Sequence, residues 1–206
     1  MRIGILGGVF NPPHLGHLVC AQEASTQMEL DVVVLIPVGE APHREIENDP
    51  GGELRFQMCE HAVGGDERLD VSRLEVDRPG PSYTVDTLRM LCERAPEDER
   101  VLVMGGDQAA SLPSWRDPAK VLELAELAVV DRGDADRQSM RAALSDAGLS
   151  GAELSHFEMP RIDISSTLVR ERAAAGRPIH YLVPDAVASF VADRALYQAS
   201  APLEAG

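Results

Sequence analysis

The chain has little of several residue types, and each shortage narrows what it can be. Its 206 residues include one lysine and three cysteines. No apolar run is long enough to cross a bilayer, and the N-terminal stretch lacks the charge and length pattern of a signal peptide. We therefore expect a cytoplasmic protein that makes no use of a membrane. The shortage of lysine leaves arginine as the main basic residue, a bias from which no function follows.

The cysteines, Cys20, Cys59 and Cys92, are odd in number and show no CxxC spacing. A disulfide framework needs paired cysteines, and a zinc ribbon needs close pairs of them. The pattern predicts three buried thiols in a reducing compartment.

Basic residues are also in deficit, since 19 of them face 34 acidic residues and leave a net charge of -15. A surface of this sign repels polyanions, which disfavours binding to the nucleic acid backbone or to anionic lipid. Only 4% of the residues are aromatic, too few for the stacking platforms of a single-stranded RNA site. We expect no nucleic acid partner, and any phosphate site must be built locally.

Short β-branched runs alternate along the chain with amphipathic segments of helical length, a rhythm typical of βαβ units. It predicts an α/β fold: a Rossmann-like, doubly wound parallel sheet in one domain, residues 1–206, with a small C-terminal helical segment and a frayed tail from about residue 198. The acidic, turn-rich segment Glu45–Glu53 is predicted as a surface loop near the site. Strands are predicted at 2–6, 31–37, 101–106 and 127–132, and helices from about Gly16, over 54–63, 82–95 and 118–125, from near Ser165, and over 184–196.

Sheets of this kind bind ligands at the carboxyl ends of their strands, and the stretch GGVFNPPHLGHL follows the first strand. Gly7 and Gly8 allow backbone N–H groups to approach a phosphate, although two glycines alone predict only a tight turn. His14 and His17 stand at the start of the next helix, where both imidazoles can meet an anion. A zinc site is the rival use of paired histidines, and it ranks low because no carboxylate or cysteine stands at ligand spacing.

A second stretch, ISSTLVR, supplies hydroxyl groups and an arginine one helical turn apart. Ser165 and Ser166 can simply cap a helix, and Arg170 can be a solvated charge. The same groups also compose an anion cradle. Two such cradles in one protein suit a triphosphate.

These two motifs together resemble the signature of the HxGH nucleotidylyltransferase superfamily. Four further blocks are similar, in order and spacing, to bacterial nicotinate-nucleotide adenylyltransferases, and the resemblance spans roughly residues 3 to 197. They are PHR at 42–44, SYTVDTL at 82–88, GGDQAASLPSW at 105–115 and YLVPDAV at 181–187.

The resemblance implies adenylyl transfer from ATP to nicotinate mononucleotide in NAD biosynthesis, with His17, His14 and Arg170 as catalytic residues. It implies Mg²⁺ carried with ATP and no metal ligands from the protein. The ATP-binding residues it implies are Gly7, Gly8, Val9, Phe10, His14, His17, Gly106, Asp107, Ile164, Ser165, Ser166 and Arg170. Those for nicotinate mononucleotide are Asn11, Arg44, Tyr83, Thr84, Trp115 and Arg132, with Arg55 as a weaker candidate for its phosphate.

The chain departs from the family pattern at three of these positions. Val9 and Asn11 stand where the family often has Thr and Asp, and Arg44 stands where Lys is common. Because the histidines remain, we expect altered affinity and retained activity.

Several alternatives stay open. A sister enzyme would use nicotinamide mononucleotide, whereas phosphopantetheine is disfavoured by the SYT segment and Trp115. A nucleotide-sensing module without turnover would not need both His17 and Arg170. A homo-oligomer is possible, and the sequence does not decide its size.

Overall fold

Six strands form one sheet in the computed structural model, which describes residues 1–42, 45–130, 134–149 and 154–198. The strands are β1 (Arg2–Gly8), β2 (Val32–Pro37), β3 (Leu69–Val71), β4 (Glu99–Met104), β5 (Glu126–Val130) and β6 (Leu154–Phe157). They lie in the order β3-β2-β1-β4-β5-β6, and each pairing is parallel. The chain thus builds outward from β1 to β3 and then returns to β4, so the direction of strand addition reverses between β1 and β4. A crevice opens at such a reversal.

Helices cover both faces of the sheet. They are α1 (Leu15–Gln27), α2 (Gly52–Val63), α3 (Thr84–Arg94), α4 (Gly106–Ser111), α5 (Pro118–Leu124), α6 (Asp134–Asp146), α7 (Ser166–Ala174) and α8 (Asp185–Asp193). Successive strand residues point to opposite faces, and β4 shows the result. Leu102 and Met104 pack into one core cluster with residues of α3 and α5, while Val101 and Val103 pack into another with residues of α1.

The C-terminal helices form a smaller cluster of their own against α2. Met58 of α2, Val169 of α7 and Val187 of α8 are all buried in it. The last helix was predicted to reach Leu196, but it ends earlier, at Asp193. Ala195 then takes a left-handed backbone conformation, with φ of 50°, which is incompatible with a continuing α-helix. None of the helices in the described ranges is both long and apolar enough to cross a membrane.

The doubly wound parallel sheet predicted from the sequence is confirmed. The expectation of three buried thiols is wrong for two of them, because Cys20 and Cys92 are only half-buried and Cys59 alone is buried. Strands β3 and β6 and helices α4 and α6 were not predicted.

Candidate active site

A cavity of about 990 Å³ lies at the carboxyl ends of β1, β4 and β5. It gathers residues from the turn after β1, the start of α1, the 45–47 segment and the chain entering α7. Ten of the residues predicted from sequence line it: Gly7, Gly8, Val9, Phe10, Asn11, His14, His17, Ile164, Ser166 and Arg170. The crevice that the fold creates is therefore where most of the predicted phosphate-binding groups meet.

His14 and His17 form a stacked pair at the start of α1. His14 is the N-cap residue, with extended backbone, and the two ring centroids lie 3.7 Å apart at an interplanar angle of 26°. The backbone N–H of His14 donates to Nδ1 of His17 at 3.1 Å. Since Nδ1 acts as an acceptor, the neutral His17 ring carries its proton on Nε2. The ring of Phe10 meets His17 edge-on at 5.0 Å and completes the packing.

Burial governs the charge of this pair. It lowers the pKa of His17 to about 3, with a smaller contribution from His14, and it lowers the pKa of His14 to about 4. Without a ligand both rings are therefore neutral at pH 7 and act as hydrogen-bond donors and acceptors. Within the described part of the chain, the buried Nδ1 of His14 has no hydrogen-bond partner. Such an atom is suited to a ligand, because leaving it unpaired is costly.

Gly16 lies between the two histidines, where a side chain would press on His14. A Cβ at this position would come 3.0 Å from Nδ1 of His14 and 3.1 Å from its Cε1. Real Cβ contacts are rarely this short, so any other residue at position 16 would push the imidazole by a few tenths of an ångström.

The start of α7 brings hydroxyls and a guanidinium to the other side of the turn after β1. The Ser165 side chain caps the helix by accepting from the N–H of Leu168 at 3.1 Å, as predicted. Ser166 does not cap, since its hydroxyl donates to the carbonyl of Pro12 at 2.8 Å. Ser166 lines the cavity, whereas Ser165 is not among its lining residues.

Arg170 is buried, so it is not the solvated charge that the sequence left possible. It donates to the carbonyl of Asn11 at 2.9 Å and to the carboxylate of Glu47 at 3.1 Å, while its Nε has no partner among the described residues. The Glu47 side chain is 75% exposed, against 10% for Arg170. An exposed carboxylate therefore holds a buried cation of the cavity.

Asn11 ties three parts of the chain together. Its side-chain Nδ2 donates to the carbonyl of Glu47 at 2.9 Å, and its Oδ1 accepts from the hydroxyl of Tyr197 at 2.7 Å. Asn11 is 2% exposed. Both polar atoms of the Asn11 side-chain amide therefore bond to other protein groups, and they connect the 45–49 segment to the chain beyond α8.

Gly106 and Asp107 begin α4, directly after β4. Their neighbours Gly105 and Gln108 line the cavity, and they themselves do not appear among the lining residues. These two predicted ATP-binding residues thus stand next to residues of the cavity lining without lining it themselves.

The predicted acceptor residues Tyr83, Thr84 and Trp115 lie on two segments, the start of α3 and the chain just before α5. Tyr83 and Thr84 start α3, and the guanidinium of Arg116, the residue after Trp115, lies 4.7 Å over the Tyr83 ring. Trp115 donates from Nε1 to the Ser111 hydroxyl at 3.0 Å and packs partly buried on the same core cluster as Tyr83. These three residues do not line the cavity. Arg44 and Arg132 lie outside the described residues.

Arg55 is fully buried, which separates it from a substrate-binding role. It makes four hydrogen bonds to the protein, one of them to Asp49 at 2.8 Å. The suggestion that it meets the mononucleotide phosphate is therefore wrong, because the guanidinium is enclosed and occupied.

The described residues contain no group of three metal-ligating side chains close enough to hold an ion. Two of the carboxylates that line the cavity, those of Glu47 and Asp163, are paired with Arg170 and Arg161.

Several lining residues were missed by sequence reasoning. Cys20 lies one turn after His17, a spacing that could have revealed it, and Thr167 belongs to the ISSTLVR motif itself. The segment 159–163 carries no motif that the sequence alone could distinguish. The lining residues that were not predicted individually are Leu6, Gly16, Cys20, Glu45, Ile46, Glu47, Gly105, Gln108, Val130, Met159, Pro160, Arg161, Ile162, Asp163 and Thr167, although the segment 45–53 was expected to lie near the site.

A doubly wound sheet whose strand ends present a glycine turn, a histidine pair and a serine-arginine helix start defines a nucleotide-binding α/β protein. Comparison with known proteins narrows this class. A family model described as cytidylyltransferase-like matches residues 5–172. A probable nicotinate-nucleotide adenylyltransferase of Leifsonia xyli subsp. xyli is 41% identical over 200 residues, 97% of this chain and 96% of that protein. One of Roseiflexus sp. is 41% identical over 196 residues, 95% and 98% of the two chains.

A solved structure shares the fold. The nicotinic acid mononucleotide adenylyltransferase of Plasmodium falciparum, complexed with NaAD, superimposes with a TM-score of 0.76 at 16% identity and covers 95% of this chain and 97% of its own. The chain belongs to the cytidylyltransferase-like family and, within it, to the nicotinate-nucleotide adenylyltransferases. The resemblance noted from the sequence is confirmed, and the protein is a nucleotidyltransferase.

Proposed function

We propose that this protein transfers the adenylyl group of ATP to nicotinate mononucleotide, giving nicotinate adenine dinucleotide and pyrophosphate in NAD biosynthesis. The observation that carries the proposal is that one cavity holds the stacked imidazoles of His14 and His17 together with Ser166 and Arg170. The names of the relatives point to the same reaction. The protein acts in the cytoplasm as one domain spanning residues 1–206.

The cavity supports a division of the ATP site between two helix starts. The turn from Gly7 to Phe10 and the histidine pair hold the α-phosphate side, and the entrance to α7 with Ser165, Ser166 and Arg170 holds the β- and γ-phosphates. Ile164 lines the same wall, and Gly106 and Asp107 meet the ribose from the start of α4. The lone Nδ1 of His14 and Nε of Arg170 support this division, since both are buried and ready for an acceptor or a donor.

The acceptor binds against Tyr83, Thr84 and Trp115. An indole and a phenol ring can enclose a pyridine ring by stacking. Arg44 and Arg132 supply charge for the mononucleotide phosphate, and Asn11 lies between the two substrates. The guanidinium of Arg116 lies over the Tyr83 ring and is paired with Asp86 at 3.4 Å, so a cation stands close to this proposed acceptor site.

The reaction needs no nucleophilic side chain. A phosphate oxygen of nicotinate mononucleotide attacks the α-phosphorus of ATP, the new P–O bond forms, and the bond to pyrophosphate breaks in line. The Nε2–H of neutral His17 donates to the α-phosphate as negative charge grows on it, and Arg170 stabilises the departing pyrophosphate. The fold positions the reacting groups.

Mg²⁺ accompanies ATP in this proposal. It supplies charge neutralisation along the triphosphate, and the oxygen ligands it prefers come from the phosphates and water.

The test is pyrophosphate release with ATP and Mg²⁺ in parallel reactions with nicotinate mononucleotide, nicotinamide mononucleotide and phosphopantetheine. We expect kcat/KM to be highest, by at least about tenfold, with the nicotinate acceptor. A preference for nicotinamide mononucleotide would move the protein to the sister activity. ATP binding without turnover on any acceptor would support the nucleotide-sensing alternative.

A further inference from the structure

Arg55 is a buried cation whose hydrogen bonds all reach loops around the cavity. Its side chain is 0% exposed and lies on α2, beneath the carboxyl ends of β1 and β2. Nη1 donates to the carbonyls of Val9 at 3.2 Å and Val38 at 2.5 Å, and Nη2 donates to the carbonyl of Gly39 at 3.0 Å. Because burying a charge is costly, a guanidinium in this position requires these partners.

The contact with Val9 sets the direction of a peptide that faces the ATP side. In a trans peptide the C=O and the following N–H point in opposite directions. When Arg55 holds the carbonyl of Val9, the N–H of Phe10 is turned away from the guanidinium. Val9 and Phe10 both line the cavity, and Phe10 takes the uncommon φ of 50°. An anchor at Val9 keeps this strained turn in one arrangement.

The contacts with Val38 and Gly39 lead to the acceptor side. The N–H of Gly39 donates to the hydroxyl of Ser82 at 3.1 Å, and the N–H of Ser82 donates to the carbonyl of Glu40 at 2.8 Å. Ser82 directly precedes Tyr83, the N-cap residue of α3. The loop after β2 is therefore bonded to Arg55 on one side and to the start of α3 on the other.

Two further features make this link stiff. A Cβ on Gly39 would lie 2.1 Å from the backbone oxygen of Glu75, so no other residue fits there. The buried Glu75 carboxylate accepts from the Thr87 hydroxyl at 2.6 Å and from Ser82, and burial raises the pKa of Glu75. The acceptor segment is thus held from both ends.

We propose that Arg55 is a positioning residue that keeps the phosphate-binding turn at Val9–Phe10 in register with the acceptor segment at Ser82–Thr84. The inference rests on the proposed function for its two substrate sites. A displacement of about 1 Å between reacting groups can lower turnover by about 100-fold. Loss of Arg55 therefore lowers kcat more than it raises the KM of either substrate.

The test compares two variants of α2. Arg55→Met keeps a long unbranched side chain but removes the guanidinium. Phe56→Ala removes a buried ring from the same helix, where Phe56 packs under Arg73. We expect Arg55→Met to lower kcat by about 10- to 100-fold with each KM changed less than about threefold. For Phe56→Ala we expect a lower Tm and an unchanged kcat. A kcat of Arg55→Met within twofold of wild type, or an equal fall of kcat in Phe56→Ala at equal Tm loss, overturns the proposal.

Two milder variants decide the question if Arg55→Met fails to fold. Arg55→Lys retains the charge with fewer hydrogen bonds, and Ser82→Ala removes the acceptor of the Gly39 N–H. We expect intermediate values of kcat from both, and wild-type kcat in both overturns the proposal.

Hydrogen exchange separates this inference from the proposed function, because it needs no turnover. In Arg55→Met or Arg55→Lys, peptides containing Val9–Phe10 and Val38–Gly39 should lose protection together, while Phe56→Ala leaves them protected. Unchanged protection in both segments overturns the inference. A wild-type protein that is inactive on nicotinate mononucleotide overturns only the proposed function.

Discussion

The imidazole of His17 accepts, at Nδ1, a hydrogen bond of 3.1 Å from the backbone N–H of His14. This contact assigns the proton of the neutral ring to Nε2 and locks the ring against its partner. A donor of fixed direction at the mouth of the cavity is what a growing charge on phosphate requires.

Replacing His17 by alanine should leave the fold intact and lower kcat by at least about 100-fold, since one well-aimed donor is lost. Pyrophosphate release at saturating substrates measures the effect, and circular dichroism checks the fold. The exposed His61 of α2 offers the matched control, because His61→Ala removes an imidazole away from the cavity. Near wild-type turnover of His17→Ala would contradict the catalytic role.

The histidine pair also shows how far sequence reasoning reaches. Its spacing on the chain and the glycine turn before it were enough to place it at the carboxyl end of β1, because local motifs and a parallel sheet determine that position. The stacking of the rings and their low pKa values were not foreseeable. Both depend on the tertiary packing of the turn, in which Phe10 meets His17 edge-on and burial lowers both pKa values.

Long-range partners explain the remaining differences. The sequence predicted Arg170 as an anion ligand. It could not predict the ion pair of Arg170 with Glu47, because the two residues are 123 positions apart in the chain. The resemblance made Arg55 a weaker candidate for the mononucleotide phosphate, and only the fold reveals that its side chain is enclosed. The short β3 and β6 strands carry too few residues for a periodic pattern, so tertiary pairing rather than propensity defines them.

Acid should destabilise the protein through the buried histidines. Unfolded histidines titrate near pH 6.5, whereas the folded pKa values are about 4 for His14 and about 3 for His17. Between these limits the unfolded chain binds more protons, so the free energy of unfolding falls as pH falls, by about 1.4 kcal/mol per pH unit for each histidine. Urea unfolding from pH 7 to pH 5 measures the slope.

His14→Gln should reduce that slope by about one histidine's share. Equal slopes in wild type and His14→Gln would show that burial of His14 does not control the acid sensitivity.

We expect substitution of Gly16 to impair catalysis through the position of His14 and not through the stability of the helix. Gly16→Ala adds a Cβ 3.0 Å from the His14 ring, so the imidazole must move, and we expect kcat to fall by about tenfold. Alanine itself favours the helix. Gly52→Ala is the control, because Gly52 also lies in the first turn of a helix and its Cβ would meet only ordinary contacts, at 3.5 Å from Val76. Equal kinetics of the two variants would contradict the prediction.

Glu47 should weaken the binding of ATP, because its carboxylate holds the guanidinium that the phosphates need. Nη2 of Arg170 lies 3.1 Å from the Glu47 carboxylate, and 75% of the Glu47 side chain is exposed. A bound phosphate can therefore displace this carboxylate at modest cost. Glu47→Gln is expected to lower the KM for ATP by about two- to fivefold, measured at constant nicotinate mononucleotide and constant ionic strength.

The matched control for that variant is Glu45→Gln, which removes the same charge from the lining of the same cavity. If the ion pair with Arg170 is the cause, Glu45→Gln changes the KM for ATP much less than Glu47→Gln does. Equal decreases would instead assign the effect to the overall charge of the cavity, and an unchanged KM in Glu47→Gln would mean that Arg170 binds the phosphates without releasing Glu47. A fall confined to Glu47→Gln would show that the ion pair limits access of the ATP phosphates to Arg170, because Glu47 occupies that guanidinium in the structure without a nucleotide.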